Sequence, residues 1–372
     1  ASVGSTGSQV IITNAGVINK TAGNTHLISG NTTFNNSGTV NVYTGNLTIG
    51  VGGNESGTYY TTVGTTIEFS GGSRNIIGDV NFTGVGSSLI SGSVFDTQHN
   101  FSINNATALN VSSGGFSGDF SLSISGDLNI TGSSTFSGIG SITTSGQTTI
   151  NDSDSLTSSS LTISGGKTWT NRGEIIVAGN DFISFGSGAN TLVNASEGVI
   201  NLSSSLTTPI SWAGVANSTG TVSNAGVFKQ TLAGTHGLSS NLTFNNTGSV
   251  IAEAGTLSLS VSGTDSGTYQ ADSTAVIDFT GGSRNLTGNM TYAGTGSIKV
   301  SGATFNVNDT ITLDSTDGAL TLSSGQLSGS NTLTTKGEIL VDNSATGDAG
   351  FVVSGGLNWI NEGVLTLSLI HI

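Results

Sequence analysis

The chain has 372 residues, including 57 Gly, one Pro and no Cys, and only 8% of them are charged. Eight Lys and Arg within a formal net charge of −14 argue against a nucleic-acid partner, which needs a basic footprint, and against an electrostatic grip on anionic lipid. Without Cys there is no disulfide and no thiol chemistry, and no apolar run nears the roughly 18 residues of a membrane-spanning helix.

Soluble domains are normally about a quarter charged, so solubility here must come from a surface of Ser, Thr, Asn and Gly. Val, Ile, Leu and Phe recur at short, regular intervals, which disordered chains lack. This is the composition of a β-rich extracellular protein.

Followed from the N-terminus, the chain repeats itself. Residues 14–95 align without a gap on 224–305, with 37 of 82 positions identical. NAGV (14–17), TFNN (33–36) and SGTY (56–59) return at 224–227, 243–246 and 266–269. FSGGSRNIIGD (69–79) returns as FTGGSRNLTGN (279–289). Further on, GGKTWTN (165–171) matches GGLNWIN (355–361), but the offset has fallen from 210 to 190. The second copy has therefore lost about 20 residues while keeping the pattern, as a solenoid can by losing one coil. A shorter unit recurs inside each copy: NAGVI, NSGTVNV, NRGEIIV, SEGVINL, NTGSVIA, KGEILV and NEGVLTL.

Alternating runs such as Leu47, Ile49 and Val51, or Leu257, Leu259 and Val261, read as strands between Gly, Ser and Asn turns. No stretch has helical periodicity. Tandem immunoglobulin-like sandwiches would need units near 100 residues and would not survive the deletion. The expected fold is all-β: a single-stranded parallel β-helix (β-solenoid) of about 15–18 coils. Residues 1–366 form one continuous β-helix in this reading, built of super-repeats at about 14–180 and 224–361. Inward side chains would stack like on like, and Asn at the turns would form hydrogen-bonded ladders.

The duplicated phrase then reads as a structural corner. Gly71 and Gly72, like Gly281 and Gly282, turn the chain because Gly accepts φ > 0. Arg74 and Arg284 are expected to pin the corner by bonding Glu68 and Asp278 or turn carbonyls. A phosphate loop would need a following helix, and none is indicated. His26 recurs as His236 and reads as a stacked or turn residue; His99 has no repeat partner and no carboxylate at a known spacing. Scattered His without Cys gives no zinc site. Asp152-Ser153-Asp154 and Asp314-Ser315-Thr316-Asp317-Gly318 contain hard-cation ligand types but fit no calcium loop, and read as solvated turns. No cofactor or metal is expected.

Parallel β-helices also include polysaccharide-cleaving enzymes, which need facing carboxylates or a cationic cluster beside a base. The best local constellation is Lys167, Trp169, Arg172 and Glu174; its counterpart keeps Trp359 and Glu362 without a basic residue. Trp169, Arg172, Trp212 and Trp359 are candidate glycan contacts, with packing at a coil corner as the alternative for the recurring pair. Asn-x-Ser/Thr sites, among them Asn46, Asn81, Asn129, Asn241 and Asn285, follow from composition and matter only in a glycosylating host. Thr pairs such as Thr61-Thr62 and Thr334-Thr335 do not recur at coil spacing, as an ice-binding face would require.

The N-x-G-x-V units, the phrases FTGVGS (82–87), FSGIGS (136–141) and YAGTGS (292–297), and the absence of Cys resemble filamentous-haemagglutinin-like adhesins and autotransporter passengers of Gram-negative bacteria. That resemblance spans nearly the whole chain to residue 366. It implies a right-handed coil, secretion across the outer membrane and display on the cell surface. It also implies binding to host-cell or environmental glycans and proteins, or to other copies. The expected function is adhesion or spacing without catalysis, with any specific site on irregular stretches: 96–164 and Pro209-Ile210-Ser211-Trp212. The rivals are a polysaccharide-degrading β-helix and a self-assembling stalk. Residues 367–372, LSLIHI, match the translation of a transposon end used in sequencing libraries and are expected to be foreign to the protein. With no leader pattern at the N-terminus and no clear cap at either end, the chain is expected to be a fragment.

Overall fold

Runs of three to six residues rich in Val, Ile, Thr and Phe cannot bury a face alone; each needs a neighbouring strand. The computed structural model describes residues 2–152, 158, 160–342 and 350–368. Among them are 44 strands and no helix. The strands stack as a parallel β-solenoid of about 16 turns, within the expected 15–18. Parallel pairing throughout rules out the sandwich alternative, whose sheets are antiparallel.

The chain divides into two compact units, Ala1–Thr191 with Ala213–Ser218, and Leu192–Trp212 with Thr219–Ile372. In the first, one turn runs through strands Thr39–Val42, Asn46–Ile49 and Gly53–Glu55. The next turn, Thr58–Thr61, Thr66–Phe69 and Ser73–Ile76, lies directly on it. Register sets Val40 on Tyr59, Leu47 on Ile67, and Ile49 on Phe69. All six are buried. In the second unit, Val250 lies on Tyr269 and Leu257 on Ile277 in the same way.

Strand side chains alternate between faces, so every second residue enters a narrow interior. There the columns sort by chemistry. In the first unit Phe69, Phe95, Phe116, Phe136 and Trp169 form an aromatic file, with consecutive ring centroids 5.1, 6.1, 5.7 and 5.3 Å apart. Most of these contacts are edge-to-face, the preferred arrangement for ring quadrupoles.

A second kind of column explains the N-x-G unit. Asn14 donates to Asn36 Oδ1 at 2.8 Å and to the Thr39 carbonyl at 3.1 Å. In the second unit Asn194 donates to Asn224 and Asn224 to Asn246, each at 2.8 Å, and Asn224 also donates to the Ser249 carbonyl. The buried amides thus bond one another and nearby strand carbonyls, and each ladder ends on an amide, Asn36 or Asn246, whose Nδ2 has no partner among the described residues. The sequence-based expectation of Asn ladders holds.

A third column shows which property a position needs. Lys20 is buried, and its Nζ donates to the carbonyls of Ala22 and Thr44. Its repeat counterpart Gln230 is buried and donates to Leu232 and Ala254 at the matching places. Reach and a donor are required there, not charge.

Two outcomes are expected. Asn224→Ala removes the middle rung and should cost about 1–3 kcal/mol; Phe116→Ala opens the aromatic file and should cost about 3–5 kcal/mol. Urea unfolding followed by circular dichroism measures both.

Candidate functional site

The duplicated phrase is structural, but not only as a corner. Gly72 and Gly282, with φ +77° and +79°, make the turn. A β-carbon on either would strike the backbone of the turn below, at Gly52 or at Val261. The following Ser-Arg-Asn is strand, Ser73–Ile76 and Ser283–Leu286. Arg74 and Arg284 therefore point inward, and both are fully buried.

Their carboxylate partners are not the expected ones. Arg74 donates to the Phe34 and Val51 carbonyls at 2.7 and 2.9 Å and pairs with Glu55, whose other oxygen accepts from the Tyr59 hydroxyl at 2.6 Å. Arg284 grips Asp265 through Nε and Nη2 at 2.7 and 2.6 Å, reaches the Val261 carbonyl, and Tyr269 donates to the same carboxylate. Phe34 and Phe244 lie under the two guanidinium groups at 5.7 and 5.6 Å. Glu68 and Asp278 instead lie on outward positions of their strands. Glu68 accepts from Thr48 and Ser91, and Asp278 accepts from Ser301 and pairs with Lys299. The expected carbonyl partners were right, and the expected acids are corrected: alternation sends Glu68 and Asp278 outward, whereas Glu55 and Asp265 face in.

Desolvation pulls Arg284 down, but the Asp265 charge outweighs it and holds the guanidinium above its ordinary range. Burial pulls Arg74 down to about 9, still charged at neutral pH, and the adjoining Glu55 carboxylate opposes that fall. Burial likewise pushes the Tyr59 and Tyr269 hydroxyls up, so both stay protonated donors.

Of the candidate glycan contacts, Trp169 is fully buried in the aromatic file with Nε1 donating to Thr144 Oγ1 at 3.0 Å. It offers no face to a ligand, so packing is its role. Trp359 makes the equivalent bond to Thr335 Oγ1 and is half-buried, as is Trp212. Arg172 is exposed. His236 is buried with its ring nitrogens against the Leu206 and Ala233 carbonyls, held by hydrogen bonds rather than by stacking; His26 is half-buried. Asp314 lies in strand Ile311–Leu322, not in a turn. Ser153, Asp154 and His371 lie outside the described residues. Among the described residues no group of three or more His, Cys, Asp or Glu is placed to hold a metal.

A site that sequence spacing did not single out lies in the irregular stretch. Asp96 and Gln98 end one turn, Ser117, Asp119 and Phe120 the next, and Ser137 and Gly138 the one after. Together they line an open groove of about 340 Å³. Asp96 accepts from Ser117 at 2.7 Å and from Gln98 at 2.5 Å; Asp119 accepts from the Ile139 amide at 3.1 Å. Phe120 is 43% exposed, and the His99 ring stands 5.5 Å from it and 6.0 Å from Phe101.

Behind the groove wall lies Lys167. Its side chain is buried and runs along the inside of the corner, where Nζ donates to the Gly118 carbonyl at 2.6 Å, two turns away. Burial lowers its pKa to about 8, against the pull of Asp119 and Asp96. The charges of the two acids thus favour the buried ammonium, and both side chains reach the solvent side of the wall.

None of this is duplicated. At the repeat offsets Asp96, His99, Phe101 and Lys167 meet Asn306, Asp309, Ile311 and Leu357. Asp119 and Phe120 fall in the interval from which the second copy has lost a turn. The available signal was the coil spacing itself, since Asp96 and Asp119 are 23 residues apart.

The buried clusters make two predictions. Arg284→Met leaves Asp265 buried without its partner and should cost about 3–5 kcal/mol, with Arg284→Met/Asp265→Leu recovering part of the loss; unfolding midpoints check it. Lys167 titrates near 10.5 when unfolded and near 8 when folded. Between those values the unfolded chain binds more protons, so its contribution to stability rises with pH across the window. The wild-type urea midpoint should therefore climb relative to Lys167→Met from pH 8 to 10.5; a constant difference would contradict the burial.

No protein-family model, no curated protein and no solved structure matches the chain.

Proposed function

We propose that the chain is part of a secreted, surface-displayed repetitive protein of the adhesin type, which binds glycans at the Asp96–Gly138 groove and does no catalysis. One observation carries the reading. The buried Arg clusters and Asn ladders come in two copies, as scaffolding does, while the residues of the groove, with its exposed ring and solvent-facing acids, have no counterparts at the repeat offsets. A ring face beside a few polar groups is how proteins hold sugars without bond-breaking. The resemblance to filamentous-haemagglutinin-like and autotransporter passengers supports the surface location. Against a lyase or hydrolase stands the state of Lys167: its amine is directed at a backbone carbonyl inside the wall, away from a bound chain.

The expected outcome is retention of the purified protein on a glycan or cell surface, with no fall in polysaccharide viscosity. Phe120→Ala should weaken that retention roughly 2- to 12-fold, the worth of one aromatic contact. Measurable depolymerisation by the wild type would defeat the non-catalytic reading.

A further inference from the structure

If the groove holds a saccharide, its chemistry favours one kind. The charged residues lining it are Asp96 and Asp119, with no Lys or Arg among them. Lys167 is buried behind the wall and already donates to the Gly118 carbonyl. One positive charge inside against two negative charges at the lip leaves these three groups net negative, with the His99 ring beside Phe120 as the other titratable group at the opening.

The donors fixed on the acids also limit what they can do. Ser117 and Gln98 each give one hydrogen bond to a separate Asp96 oxygen, and Ile139 gives one to Asp119 Oδ1. A carboxylate has about four acceptor positions, so both groups retain lone pairs for a ligand's donors. A uronate would bring a like charge to this lip. A neutral sugar would satisfy the acids with hydroxyls alone. A protonated amine would do so with a charge-assisted bond, roughly twice as strong as a neutral one.

Phe120 supplies the second, independent element. It projects from the turn between Gly118 and Ser121 with 43% of its surface exposed, beside the His99 ring. An aromatic face packs against the C–H face of a sugar ring, whether or not the sugar carries an amine. The groove volume, about 340 Å³, is within the size range of small-ligand clefts.

We propose that this groove selects saccharides bearing protonated amines, hexosamine units with a free amino group, over their N-acetylated or carboxylated counterparts. The inference rests on the glycan-binding reading above and narrows it.

The test is calorimetric titration of the full chain with three probes at one ionic strength and at pH 5.5: a β-1,4-linked glucosamine tetramer, the N-acetylglucosamine tetramer, and a galacturonate tetramer. The glucosamine tetramer should bind at least about tenfold more tightly than the N-acetylated form, and the galacturonate tetramer should not bind. Asp96→Asn/Asp119→Asn should bring the preference below about threefold. Phe120→Ala, at an exposed turn, should weaken both amino and N-acetyl probes while leaving their ratio unchanged; thermal melting verifies that both variants fold. Equal or tighter binding of the N-acetylated tetramer overturns amine selection and leaves the adhesin reading standing. Failure to bind any of the three overturns the inference, and retention on cells then decides the broader reading separately. A lysine tetrapeptide that binds as tightly, with no response to Phe120→Ala, marks unselective attraction of cations and also overturns it.

Discussion

The backbone of each turn pairs with the turn above and the turn below, in parallel. Everything else follows from that pairing. Strands stack about 4.8 Å apart, so a side chain at one position must share its space with the side chain at the same position one turn away. Like groups tolerate this best: rings meet rings in the file from Phe69 to Trp169, and amides meet amides from Asn194 to Asn246. The polar interior is therefore ordered by column, and each column has its own rule. The position shared by Lys20 and Gln230 accepts either residue because both reach the same two carbonyls.

Buried charge survives in such an interior only where geometry surrounds it. Arg284 has a fully engaged carboxylate, a backbone carbonyl and an aromatic face, so the desolvation cost meets several compensating contacts. Glu55, one methylene longer than Asp265, meets Arg74 at Nη2 and leaves Nε without a partner. The two copies therefore solve one problem with different exactness. Lys167 is solved differently again, by a single carbonyl inside and two carboxylates at the surface. That arrangement brings acids to the lip of a groove, and so links a structural need to the binding chemistry proposed for it.

Much of this was legible in the residues. Alternating apolar positions, scarce Pro and a deletion of about 20 residues within a repeat together indicate stacked turns, because only stacked turns tolerate that loss. The Asn of each N-x-G unit pointed to ladders for the same reason. What could not be read was which side chain of the adjacent turn a residue meets. Glu68 is closer to Arg74 in sequence than Glu55 is, yet it lies on the opposite face of its strand. Trp169 and Trp359 look alike in sequence, and burial alone separates a core ring from a surface one. The Asp96–Asp119 groove was hidden because its members are joined by the coil period, a distance no short motif records.

The missing turn in the second copy has a consequence for how such a chain can change. Inserting one residue within a strand reverses the facing of every later side chain of that strand, and breaks their columns unless a bulge of the kind seen between Ile90 and Ser91 absorbs it. Removing a full turn leaves all columns aligned and lets the strands above close onto those below. Length in this architecture thus comes in quanta of about one turn, and a surface feature confined to a few turns behaves as a cassette. The groove between Asp96 and Gly138 spans such a cassette, so its acids and exposed ring could be excised or exchanged whole while the scaffold on either side kept its pairing.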